Sequence, residues 1–135
     1  MSLSRKEILE KILKAEKDSS MPKFPVTKTF KIEIKEFSNV WLKDESTNLT
    51  GTHKDRMAWE IVMAYKDILM NSLYKGELPH FSIISAGSAA LAIQTQLRTY
   101  GLPNLKIIVD NDTNKKTMDF LKKLGCELYK INLEK

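Results

Sequence analysis

With 135 residues, 42% of them hydrophobic and 29% charged, the chain has the composition of an ordinary soluble globular protein and room for one domain at most. No apolar run approaches the ~18 residues of a membrane span and no signal-peptide core opens the chain, so no membrane partner is expected. The single cysteine, Cys126, excludes an internal disulfide and fits a reducing compartment, with the cytoplasm as default.

The net charge of +5 raises the question of a nucleic-acid partner. Residues 1–35 hold nine of the 22 basic residues but only five of the 17 acidic ones, so the excess lies in the N-terminal arm. No interleaved aromatics, zinc spacing or recognition-helix pattern accompanies it, which argues against nucleic-acid binding. Two separated histidines and one cysteine give no metal-ligand spacing, so no metal is expected.

Ser4 and Glu7 form a capping-box pattern, and Ile8, Leu9, Ile12 and Leu13 follow at helical spacing, which predicts an amphipathic helix to about Lys17. Its stripe must pack on its own domain or on a partner. Pro22 and Pro25 mark a linker, so residues 1–26 read as helix plus linker and 27–135 as a small α/β domain. From Thr27 to Phe37 the period is two, predicting a half-buried strand. Ser38-Asn39 is the expected turn and Val40-Trp41-Leu42 the hairpin partner, with Trp41 packed on the sheet.

A polar turn around Gly51 then leads into a helix that begins near Lys54. Thr52 and Asp55 fit a second capping box, with the Thr52 hydroxyl accepting from the Asp55 N–H. Lys54 falls in the first helical turn, where the dipole disfavours a cation. That placement favours a neutral amine able to attack a carbonyl. The alternative is a capped surface helix with an incidental lysine. Met57, Ala58, Ile61, Val62, Tyr65, Ile68 and Leu69 continue the helix as core positions toward Leu73, with Lys75-Gly76 as the stop.

Phe81–Ile84 reads as a buried strand, followed by small residues and a helix to Tyr100 that Gly101 and Pro103 close. Leu105–Val109 is another strand. Thr113 or Asn114 caps a helix carrying Met118, Leu121 and Leu124, and Cys126–Ile131 is the last strand, with Cys126 a small core residue. Strands and helices alternating at this length predict an α/β fold. Its parallel βαβ sheet would carry an N-terminal helix and extending or flanking antiparallel strands.

In such sheets ligands sit at the carboxyl ends of strands, against helix N-termini. The stretch Ser85-Ala86-Gly87-Ser88-Ala89 is expected there, either as an anion-binding loop or as a tight turn of small residues.

The run Lys43-Asp44-Glu45, Asn48, Thr50-Gly51-Thr52 and Lys54-Asp55-Arg56 resembles the lysine segment of the fold-type-II pyridoxal-phosphate enzymes, the tryptophan synthase β-subunit-like group. That group includes threonine synthases, cysteine synthases and serine/threonine dehydratases. Leu49 replaces the family's usual Pro, Thr52 a Ser and His53 the commoner Phe. The Ser85–Ala89 loop resembles the family's Ser-Ser-Gly-Asn-x-Gly, with Ala86 for Ser and Ser88 for Asn.

The resemblance implies pyridoxal 5'-phosphate as cofactor, Lys54 as its Schiff-base lysine and proton carrier, and His53 and Ser88 beside the cofactor. Ser85, Ala86, Gly87, Ser88 and Ala89 would hold the carboxylate of a small amino-acid substrate. The reaction implied is β-elimination or replacement on serine- or threonine-type substrates. The shorter Ser88 puts the ring contact in doubt and motivates a rival reading, a non-catalytic α/β interaction or regulatory module that has lost the cofactor.

The family's phosphate-holding glycine-rich loop has no counterpart among five isolated glycines. The expectation is therefore an incomplete fold-type-II architecture, truncated before the phosphate-binding domain and inactive alone. Its partner would be that second domain, and a homodimer is compatible.

Overall fold

The computed structural model describes residues 3–18, 26–85 and 87–132. Helix α1 (Arg5–Lys17) is followed by strands β1 (Thr29–Ile34) and β2 (Phe37–Lys43) and helix α2 (Lys54–Met70). Strand β3 (Ser82–Ile84), helix α3 (Ser88–Tyr100), strand β4 (Lys106–Asp110), helix α4 (Lys115–Leu124) and strand β5 (Glu127–Ile131) complete the order. This is the expected α/β architecture. β3, β4 and β5 form a parallel sheet in that order, while β1 and β2 form a separate antiparallel pair that flanks the sheet and does not extend it.

The sheet register puts Ile83, Ile107 and Leu128 in one row. Together with Val109 this row faces the helices, and α3 lies at the centre of the core, against α1, α2 and α4. Ile93 and Leu97 of α3 are wholly buried, as are Leu105, Ile107 and Leu121 around them. Each such side chain contributes about 1.5–3 kcal/mol of transfer free energy. The ring of Trp59 on α2 meets that of Tyr100 edge-on, centroids 6.0 Å apart. Such a pair adds about 0.5–1.5 kcal/mol beyond burial.

The stripe of α1 packs on this same core through Ile8 and Ile12. Its capping box is present, with the Ser4 N–H donating to Glu7 Oε2 at 2.7 Å. The helix is tied at both ends: Arg5 donates to the carbonyls of Gly76 and Tyr74, and Lys66 Nζ lies 2.8 Å from Glu16 Oε1.

Several expectations need correction. The hairpin turns at Lys35-Glu36, and Ser38-Asn39 lie inside β2, where Asn39 takes φ 62°. Trp41 does not pack in a core: it is 61% exposed, opposite Lys31. The hairpin face carrying Phe30, Ile34, Phe37 and Leu42 is also largely exposed, with no helix packed over it among the described residues. Met57 is exposed as well, on the outer side of α2. That helix stops at Met70, capped by the Asn71 N–H on Asp67 O, before Gly76 is reached. Asn114, not Thr113, caps α4, accepting from the Thr117 N–H.

One buried polar side chain pins the return from α3 to β4. Gln94, 1% exposed, accepts from the Leu105 N–H at 2.8 Å and donates to Asn104 Oδ1 at 2.9 Å. Gln94→Leu leaves the buried Leu105 N–H unpaired, while the exposed Asn104 turns to solvent, and is expected to cost about 1–3 kcal/mol in urea unfolding.

Candidate functional site

The segment between β2 and α2 is a tight turn closed by two carboxylates. Glu45 takes both prongs of the Arg56 guanidinium, Nε to Oε2 at 2.8 Å and Nη2 to Oε1 at 3.1 Å. The Thr27 hydroxyl donates to the same carboxylate at 2.9 Å, and the Asn48 amide also donates to it. Asn48 donates as well to the Thr52 carbonyl at 2.9 Å, so one side chain bridges Glu45 to the residue two before Lys54. Gly51, at φ 77°, makes the reversal that lets its N–H reach Asn48 O at 2.9 Å.

Asp55 closes the other side. Its Oδ2 accepts from the Thr50 N–H at 2.9 Å and the Thr50 hydroxyl at 2.8 Å. This differs from the expected capping box. The Thr52 hydroxyl accepts from the Lys54 N–H at 3.1 Å instead of the Asp55 N–H, and the N-cap is His53, whose side chain makes no cap bond. Half of the box does form, since the Thr52 N–H reaches Asp55 Oδ2 at 3.5 Å, but the Asp55 N–H bonds the Thr52 carbonyl at 3.3 Å in place of its hydroxyl.

Lys54 is half-buried at the first turn of α2, and its ammonium makes no hydrogen bond or ion pair among the described residues. Two buried oxygens near it in sequence, Asn48 Oδ1 and Asp55 Oδ1, also have no partner among them. His53 is exposed beside Lys54.

The second group stands at the start of α3, the helix packed against α2. Ser85 is half-buried, Gly87 is the N-cap, and Ser88 and Ala89 open the helix; Ala86 lies outside the described residues. The Gly87 N–H reaches Ser85 Oγ at 3.5 Å, and among the described residues no side chain caps the first N–H groups of the helix itself. A Cβ built on Gly87 would meet nothing within 4 Å, so the backbone there can be approached closely. Lys54 with His53, and Ser85 with Gly87–Ala89, thus occupy the N-termini of two neighbouring helices, and no hydrogen bond joins the groups among the described residues.

The other candidates have structural roles. His80 Nδ1 lies 3.0 Å from the Asn104 carbonyl, and Cys126 is a buried residue whose thiol is pushed up to about 11 by burial. In the sequence, Glu45, Asn48 and Arg56 stand only as companions of the lysine, and Asp55 as a capping partner of Thr52. Their signal was charge complementarity across a turn, which no periodicity reveals.

Glu45 provides a pH-dependent observable. Its carboxyl is held down at about 2, chiefly by the Arg56 hydrogen bonds, with Asn48 and Thr27 adding and burial opposing. Lys43 Nζ, 3.8 Å away, is the other nearby cation. The folded value lies below the ordinary 4.5, so the unfolded state binds more protons between the two. The contribution is complete above pH 4.5 and is lost as pH falls toward 2. Thermal melts are expected to show a steeper acid loss for the native chain than for Glu45→Gln across that window.

No curated protein sequence matches the chain significantly. Solved structures do share its fold. An O-ureido-L-serine synthase matches at TM-score 0.58 and 18% identity, over 93% of this chain and 35% of its own. A hydrogen sulfide-producing enzyme from Fusobacterium nucleatum matches at 0.59 and 17%, over 98% and 39%. The processed form of threonine deaminase isoform 2 from Solanum lycopersicum matches at 0.51 and 18%, over 95% and 35%. The chain therefore spans between 35% and 39% of the length of these enzymes. Residues 23–134, most of the chain, match the pattern of one sequence family, and the protein belongs to it: the pyridoxal-phosphate dependent enzymes.

Proposed function

We propose that this chain is the lysine-bearing part of a pyridoxal-phosphate-dependent amino-acid lyase or synthase, acting by β-elimination or replacement on serine- or threonine-type substrates. The observation that carries this reading is the Lys54 amine, half-buried and without a partner among the described residues, on a turn whose two sides are closed by Glu45 and Asp55. The names of two structural neighbours, an O-ureido-L-serine synthase and a threonine deaminase, support the substrate class.

The residues fit the family's cofactor, pyridoxal 5'-phosphate. An amine without a competing carboxylate can hold its aldehyde carbon, and the open approach at Gly87 leaves room beside uncapped N–H groups. When bound, the cofactor supplies the electron sink for negative charge at the substrate Cα. Lys54 Nζ would hold it and then carry the Cα proton. The backbone N–H groups of Ser85–Ala89 would orient the substrate carboxylate at the positive end of α3. Ser88 and His53 would flank the ring.

Further polypeptide would supply the phosphate-holding loop, so the 135 residues alone would turn over little substrate, and the cytoplasm is the proposed compartment. A rival reading is a cofactor-free interaction or regulatory module, favoured by Ser88 standing where the family has Asn.

The test is reductive trapping. The chain is mixed with pyridoxal phosphate, reduced with borohydride, digested and weighed. The expected pyridoxyl mass lies on the Lys54 peptide and is absent in Lys54→Arg, while serine and threonine turnover by this chain stays at background. Label spread evenly over surface lysines would favour the cofactor-free module. Robust turnover would overturn the incomplete-enzyme reading.

A further inference from the structure

The hydrogen bonds around Glu45 form a closed path through the backbone that carries Lys54. Arg56, two residues after the lysine, binds the Glu45 carboxylate through two nitrogens at 2.8 and 3.1 Å. Asn48 binds the same carboxylate and passes on to the carbonyl of Thr52, two residues before the lysine. Lys54 is therefore held from both sides by one acidic group across the turn.

The path also reaches the hairpin. Thr27, just before β1, donates to Glu45 at 2.9 Å and accepts from Arg56 Nη2 at 3.3 Å. Lys43, the last residue of β2, reaches the Thr27 carbonyl at 3.4 Å. Asn48 is 6% exposed and Thr27 3%, while the Arg56 and Glu45 side chains are 30% and 16% exposed, so a partly exposed ion pair is backed on its inner side by buried polar groups. Charged groups with several buried hydrogen-bond partners fix geometry more firmly than exposed pairs do.

We propose that Glu45 is a positioning residue for Lys54, acting through Arg56 and Asn48 to hold the turn in which the lysine amine is presented. The relevance of that presentation to catalysis rests on the function proposed above, but the clamp itself can be tested without the cofactor. Asn48 is the connecting member: removing it leaves the Glu45–Arg56 pair in place and takes away the Asn48 bonds to Glu45 and to Thr52. If Glu45 acted merely as a general stabiliser, Asn48→Ala would not reproduce its loss at the turn.

The experiment is amide hydrogen exchange on the full chain, comparing native protein with Glu45→Gln, Asn48→Ala and the double variant. The N–H groups of Gly51, Lys54 and Asp55, all bonded within the turn, report on the clamp. They are expected to exchange about tenfold faster or more in each single variant, while α3 amides stay near native rates. The double variant is expected to be no worse than Glu45→Gln, because both substitutions break one path. Unchanged turn amides, equal acceleration of α3 amides, or additive effects would each overturn the clamp.

A second arm measures pyridoxyl labelling at Lys54, expected to fall about tenfold in Glu45→Gln relative to native chain. Native chain with a protected turn but no label at Lys54 would overturn the proposed function and leave the clamp standing. Equal labelling in native chain and Glu45→Gln would overturn the positioning role.

Discussion

Burial of α3 is the constraint on which the rest of the arrangement depends. Ile93, Gln94 and Leu97 are inaccessible to solvent, because α1, α2, α4 and the parallel sheet all close on this one helix. Its C-terminal end is set by Gly101 in the left-handed region and by Gln94 holding Leu105, so the path into β4 is determined from inside. Once α3 is placed, its uncapped N-terminus stands at the carboxyl end of β3. That is where an open parallel sheet presents a ligand.

The lysine turn is stabilised by a different kind of force. It holds few apolar contacts and depends on two carboxylates, Glu45 and Asp55, each satisfying several donors of the loop. Such an arrangement is directional, and it presents a half-buried amine without neutralising it with a nearby acid. The cost of desolvating Glu45 is offset by Arg56, Thr27 and Asn48 together. Core and turn thus divide the work: hydrophobic burial sets where the helices lie, and hydrogen bonding sets the chain geometry around Lys54.

Two apolar surfaces lie outside this core. The hairpin face holding Phe30, Ile34, Phe37 and Leu42 has no layer over it among the described residues. Ile84 and Tyr129 project from the sheet face opposite the helices, in register with Ile108 between them. Parallel sheets are ordinarily covered on both faces, and two-stranded hairpins are marginal alone. Both features accord with a chain that spans little more than a third of the enzymes sharing its fold.

Much of this was legible in the sequence. Periodicity located the helices and strands of the described residues to within a few positions, and the order of Lys43-Asp44-Glu45, Asn48, Gly51 and Lys54-Asp55-Arg56 identified the family. Local chemistry determines those features, because helical spacing, capping residues and glycine reversals act over a few positions. The exposure of Trp41 and Met57 was not legible, since an apolar residue at the right period is buried only if another layer arrives. The partner of Asp55 was decided in the same way, by Thr50 folding back across the turn. The role of Glu45 needed Thr27 and Arg56, 18 residues before it and 11 after, brought to one carboxylate. The sequence by itself determined the helices, the strands and the lysine. Tertiary structure alone decided what holds that lysine in place, because a hydrogen-bonded clamp depends on distances in space that sequence spacing does not encode.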